Sequence, residues 1–155
     1  MKKYLIIISL IVLTASLLAQ ETIVPQNVQA AFKKLYPNVT DVKWDKEGAN
    51  QFEAEFTLKG VKTSVVLDEE GEVEETETAI KTDELPPTVV PYVAKNYEGY
   101  EIMEVAKIVD DDGNVAYEAE ISDGKVKKDL LFDINGNHLE KKMEKTEAED
   151  EEDED

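Results

Sequence analysis

The spacing of apolar side chains changes twice along this chain, and each change marks a switch of secondary structure. Val28, Ala31, Phe32 and Leu35 recur every three or four residues, which predicts a helix with one buried stripe, opened by Pro25 and closed at Tyr36-Pro37. From Phe52 the period falls to two. Phe52, Ala54, Phe56 and Leu58 alternate with Glu53, Glu55, Thr57 and Lys59, the pattern of a strand with one buried face. The same succession returns further on. Pro86 leads into Val89, Val93 and Tyr97 at helical spacing, closing at Glu98-Gly99, and Tyr117, Ala119 and Ile121 then alternate with Glu118 and Glu120.

These two succession patterns superimpose. Their helical parts match at an offset of 61 residues, and after four extra residues in the second copy the remainder matches at 65. Phe52-Glu-Ala-Glu-Phe56 falls on Tyr117-Glu-Ala-Glu-Ile121, Val61-Lys62 on Val126-Lys127, Leu67-Asp68 on Phe132-Asp133, and Gly71 on Gly136. Self-similarity in a fixed order implies one supersecondary unit used twice. Residues 20–82 and 83–142 are therefore read as two copies of a helix followed by about four antiparallel strands. Gly48, Gly60, Gly71, Gly113, Gly124 and Gly136 fall at the intervening hairpins, where positive φ is needed, and Gly99 falls in a helix C-cap region. Pro25 and Pro86 suit the first turn of a helix, while Pro91, inside the second helical pattern, places that helix's start at Pro91 with Leu85-Pro86-Pro87 as an extended lead-in.

The predicted class is α+β: a tandem repeat with both helices on one face of one continuous sheet or two abutting sheets. One copy of about 60 residues buries too little surface to be stable alone, so the two should share a core. The sheet's second face should be open to solvent.

Before this region comes a different kind of segment. Lys2 and Lys3 precede an uncharged apolar run from Tyr4 to Leu18, with Ala19 ahead of polar Gln20, and residues 1–19 read as a signal peptide. The mature protein is expected to be periplasmic or secreted, with no membrane association once the leader is removed. No cysteine follows that could carry a lipid anchor, and the chain has no cysteine at all, which excludes disulfides, thiolate metal sites and a cysteine nucleophile. Charge narrows the function further. The 155 residues carry 36 acids against 17 lysines and no arginine, and a net charge of −19 opposes binding to nucleic acid. Residues 143–155 hold nine of those acids and one lysine with almost nothing apolar to bury, so this tail is expected to be disordered. It is expected to serve as a solubiliser, the alternative being a weak, diffuse trap for divalent cations or a basic partner.

The order Val24-Pro25, Ala31-Phe32, Tyr36-Pro37, Val42-Lys43-Trp44, Phe52-Glu-Ala-Glu-Phe56 and Asp68 to Gly71 is followed by Leu85-Pro86, Tyr97, Tyr117-Glu-Ala-Glu and Phe132-Asp133 with Gly136. Together these resemble the PepSY-like family of small exported bacterial proteins, also described as beta-lactamase-inhibitor-like. The resemblance spans nearly all of the chain between leader and tail. It implies a tandem α+β fold, export, and no established enzymatic activity. Its motifs are turns and core positions, and it supplies no catalytic residues.

Direct inspection for chemistry is consistent with that. Asp110-Asp111-Asp112-Gly113-Asn114 resembles part of a calcium loop, but position 121, where an EF-hand requires glutamate, is Ile121, and Asp-Gly-rich tips are ordinary turn chemistry. Asp68-Glu69-Glu70-Gly71 and Asp133-Ile134-Asn135-Gly136 occupy equivalent turns. His138 is the single histidine and cannot build a polyhistidine site. Trp44, the single tryptophan, is read as core, with a partner-facing anchor as the other possibility. No catalytic, cofactor or metal site is assigned. The one broad surface left is the second sheet face, bearing Glu53, Glu55, Lys62, Glu118, Glu120, Lys127 and Asp129. The function expected is a non-catalytic binding or inhibitor-type module recognising another exported protein there, the alternative being an acidic cation-handling protein of the cell envelope.

Overall fold

The computed structural model describes residues 22–140; the leader and the acidic tail lie outside the described residues. Helix α1 (Gln26–Leu35) is followed by strands β1 (Val42–Lys46), β2 (Gln51–Leu58), β3 (Val61–Asp68) and β4 (Val73–Ala79). A short 3-10 turn at Thr82–Glu84 leads to helix α2 (Val89–Asn96) and to β5 (Glu101–Asp110), β6 (Val115–Ser122), β7 (Lys127–Asp133) and β8 (His138–Leu139). All eight strands form one antiparallel sheet in chain order. The junction is the β4–β5 pair, where Glu75 to Ala79 lie opposite Asp110 to Ala106, so the sheet is continuous.

The registers fix which side chains share a face. Phe52, Ala54 and Phe56 pair with Leu67, Val65 and Thr63; Val65 and Thr63 pair with Thr76 and Thr78, and these with Val109 and Lys107. Val105 continues that face to Ala119 and Leu130. Both helices therefore pack on one side. Val28 and Phe32 of α1 are buried against Phe52, Ala54, Phe56, Val65 and Leu67, while Val89 and Val93 of α2 are buried against Val105, Ala119, Ile121, Leu130 and Phe132. Trp44, opposite Ala54, sits edge-on to Phe32 at 5.3 Å between ring centroids, which makes it a core residue.

Among the described residues the expected shared core is not found: each helix covers its own apolar cluster, and the copies are joined through the β4–β5 pair. Three local expectations also change. Helix α2 begins at Val89, so Pro91 is in its first turn, where a missing N–H costs no intrahelical bond; Pro86 lies ahead of the helix and accepts from the Val89 N–H at 3.0 Å. Pro25 is the N-cap of α1 rather than part of its first turn. Gly48 does not adopt positive φ, unlike the glycines of the later hairpins. Of those, Gly71 and Gly136 matter most. A Cβ on Gly71 would lie 2.9 Å from the Ala31 Cβ of α1, and one on Gly136 would collide with Thr88 Oγ1 and Pro86 at the start of α2. Each helix thus rests on the hairpin that follows the third strand after it.

Candidate functional site

The face without helices carries Lys43 and Asp45 on β1, Glu53 and Glu55 on β2, Lys62, Ser64 and Val66 on β3, and Glu75, Glu77 and Ala79 on β4. Beyond the junction it continues with Glu104, Ala106, Ile108 and Asp110 on β5, then Glu118 and Glu120 on β6, then Lys127, Asp129 and Leu131 on β7. All seven residues singled out from sequence are thereby on one face. Five of them, Glu53, Glu55, Lys62, Glu118 and Glu120, border a cavity of about 740 Å3; Lys127 and Asp129 lie outside it. The cavity is lined by six strands, β1 to β6, and by Asn38 to Asp41 between α1 and β1.

This face departs from the solvated plane that strict alternation predicts. Ile108 and Ala116 are buried on it and pack with Leu131, a third apolar cluster apart from the two beneath the helices. Several carboxylates are also partly withdrawn from water. Burial pushes the Glu53 carboxyl above its ordinary range, partly offset by a hydrogen bond from Ser64. Two neighbours that the sequence reading did not single out are displaced further. Burial, with the like charges of Glu77, Glu47, Glu53 and Asp110, raises Glu75 to about 8. Burial, with Glu53, Asp129, Glu55 and Glu104, raises Glu77 to about 7. Among the described residues neither Glu75 nor Glu77 enters an ion pair or a side-chain hydrogen bond. The β4 sequence Val73-Glu-Glu-Thr-Glu-Thr-Ala79 gives no apolar alternation by which to find them, since its helix-side positions are threonines.

The lysines of the face are already engaged. Lys43 Nζ lies 2.6 Å from Asp45 and 3.5 Å from Glu55, Lys62 Nζ lies 3.1 Å from Glu104, and Lys127 Nζ lies 2.8 Å from Glu120. The lysine side chains are 66 to 75 % exposed, so the Lys43 and Lys62 pairs each contribute only about 0 to 1 kcal/mol.

The remaining candidates are absorbed by the fold. The Asp110 carboxylate accepts from the Asn114 backbone N–H at 2.6 Å and from the Asn114 side chain at 2.7 Å, closing its own hairpin. Asp68 and Asp133 accept from the N–H of Glu72 and Asn137 in the same way, each at 2.8 Å. His138 stacks on Tyr92 at 5.0 Å and meets Phe132 edge-on. Among the described residues no group of three or more acidic or histidine side chains is placed to hold a metal ion, and no helix is long and apolar enough to cross a membrane.

Two helices on one side of an eight-stranded antiparallel sheet, with an acidic cavity on the other, define a small α+β protein whose distinctive surface is its uncovered sheet face. Residues 15–73 and 50–140 match the family described as "Putative beta-lactamase-inhibitor-like, PepSY-like", and the chain belongs to that family. Among solved structures it is similar to a DUF2874 family protein from Bacteroides uniformis, at 27% identity and a TM-score of 0.62, over 75% of this chain and 86% of that one. It is likewise similar to a BLIP-like protein from Bacteroides fragilis, at 28% identity and a TM-score of 0.53, over 75% of this chain and 83% of that one. A structure from Bacteroides eggerthii, described as one of "putative periplasmic proteins", shares the fold at 22% identity and a TM-score of 0.63, over 75% of this chain and 86% of that one. No curated protein matches the chain.

Proposed function

We propose that this protein is an exported, non-catalytic binding or inhibitor-type module that recognises another exported protein through the uncovered face of its sheet, centred on Glu53, Glu55, Lys62, Glu118 and Glu120, with Lys127 and Asp129 at its margin. The observation that carries the reading is the cavity of about 740 Å3 on that face, bordered by polar groups from six strands. A surface built from six neighbouring strands is broad enough to seat a protein segment. Family membership supports an inhibitor-like role, because a BLIP-like protein is among the similar structures. Fold alone does not assign function, so the face itself has to be tested.

Two further parts of the reading rest on sequence. The leader at residues 1–19, together with a similar structure described as periplasmic, supports export to the periplasm or beyond. The doubled order of one helix and four strands supports a tandem repeat, as do the two family matches, and we place the copies at residues 20–82 and 83–142 from the sequence offsets.

A photo-crosslinking side chain tests the face. Placed at Thr57, on the cavity border, it should join the protein to a captured exported partner. Placed at exposed Lys95 on α2 it should not. Crosslinking from Lys95 alone would move recognition to the helical side.

A further inference from the structure

The cavity is chemically one-sided. Seven carboxylates border it, from Asp41, Glu53, Glu55, Glu77, Glu104, Glu118 and Glu120, against the ammonium groups of Lys43, Lys59 and Lys62. Its own ion pairs show how cations sit there: Lys62 spans both oxygens of Glu104, and Lys43 lies between Asp45 and Glu55. Because these lysines are largely exposed, another cation can replace them at little cost. Apolar surface is present as well, from Ala79 and Ala106 at its floor, which suits the aliphatic stem of a long cationic side chain.

We propose that the occupant of this cavity is a lysine- or arginine-bearing segment of another exported protein, seated by charge complementarity on the carboxylates of β2, β4, β5 and β6. This rests on the reading of the face as a recognition surface and names the chemistry of what it recognises. Other occupants are opposed by charge. The chain's own tail, with nine acids and one lysine, and a second copy of a chain with net charge −19 would both bring like charge to the face.

Seating such a segment is linked to protons through Glu77, which borders the cavity, and through its β4 neighbour Glu75, which lies on the same face just outside the lining. Glu75 is faced by Glu47 from the β1–β2 turn, Glu53 from β2 and Asp110 from β5, and Glu77 by Glu53 and Glu55 from β2, Glu104 from β5 and Asp129 from β7. From the flanking strands come Asp45 on β1, Glu118 and Glu120 on β6, and the lysines at 43, 62 and 127. With carboxyls at about 8 and about 7, the free face holds protons at neutral pH that an incoming cation displaces. Affinity therefore rises with pH through this window, because the bound state carries fewer protons than the free one.

The test uses protein comprising residues 20–155 and a deca-lysine peptide, with a deca-serine peptide as control, measured by titration calorimetry at pH 6 and pH 8.5. Deca-lysine should bind at least about tenfold more tightly at the higher pH. Glu75→Gln with Glu77→Gln should weaken binding at pH 8.5 and flatten its pH dependence, whereas Lys62→Met, which frees Glu104 and removes a competing cation, should strengthen binding. All variants keep the tail, so attraction to the tail is common to them. Equal affinities across wild type and variants would overturn the proposal. If instead a captured protein is lost on charge reversal of Glu53, Glu55, Glu118 and Glu120 while deca-lysine ignores the other variants, the face recognises something other than a cationic segment. That outcome ends this inference and leaves the recognition face standing.

Discussion

Lys62 on β3 reaches across β4 to place its ammonium 3.1 Å from both carboxylate oxygens of Glu104 on β5. A bulge between Ile102 and Glu104 sets Glu104 directly opposite Glu120 of β6, and like charges so placed repel. Each carboxylate carries its own lysine, Lys62 on one and Lys127 on the other. Both pairs thus act as local neutralisers of a cross-strand repulsion, and Lys62–Glu104 also spans the β4–β5 junction between the two halves of the sheet.

Replacing Lys62 with Met should lower stability by less than about 1 kcal/mol, because both partners are well exposed. Urea denaturation checks this, and the loss should be larger at low salt, where the Glu104–Glu120 repulsion is least screened.

Glu75 and Glu77 make the fold sensitive to pH in an unusual direction. Their folded-state values of about 8 and about 7 exceed the ordinary 4.5, so between these limits the folded state holds more protons than the unfolded state. Stability from these groups is therefore greatest at acid pH and falls as pH rises through that window. Converting both to Gln should flatten this trend and raise stability at pH 8 by about 1 to 3 kcal/mol, the figure being kept small because both side chains retain contact with water. Denaturation midpoints at pH 5 and pH 8 provide the measurement.

Gly136 and Gly60 both adopt positive φ, at 76° and 85°, but differ in their surroundings. A Cβ at Gly60 meets open space, whereas one at Gly136 meets Thr88 and Pro86. Gly60→Ala should cost about 1 kcal/mol of backbone strain. Gly136→Ala should cost clearly more, by lifting the start of α2 from the sheet, and the difference in thermal midpoint between the two variants reads the packing part alone.

Protein ending at Thr82 should not fold as a stable monomer. Its last strand, β4, would lose β5 and leave an unpaired edge, and so small a chain buries little surface. A cooperative thermal transition from monomeric residues 20–82 would show that the halves are independent.

What the sequence disclosed follows from where periodicity is strong. Phe52, Ala54 and Phe56 alternate cleanly because one face of β2 is fully buried beneath α1, and Tyr117, Ala119 and Ile121 follow suit on β6 under α2. The seven residues of the candidate face were placed on one side by the same arithmetic. Curvature is not written in a period of two, so neither the cavity nor the partial burial of Glu53 was foreseeable that way. Glu75 and Glu77 escaped because β4 lies between the two helix-covered regions, with Thr76 and Thr78 rather than apolar residues on its helix side. Ile108 pointed the other way: it is fully buried, yet it belongs to the face without helices.

The most direct test of the account is the affinity of a captured exported partner for wild type and for the variant in which Glu53, Glu55, Glu118 and Glu120 are all changed to Lys. Phe56→Ala serves as the stability control, since Phe56 packs against Phe32 and Tyr36 at 5.2 and 4.6 Å between centroids and its loss should cost about 3 to 5 kcal/mol. The account predicts that the fourfold reversal abolishes association while the variant still unfolds cooperatively, at a midpoint lowered by the loss of the Lys43 and Lys127 pairs, and that added salt weakens the wild-type complex in the same direction. A folded fourfold variant that binds the partner as tightly as wild type would contradict it.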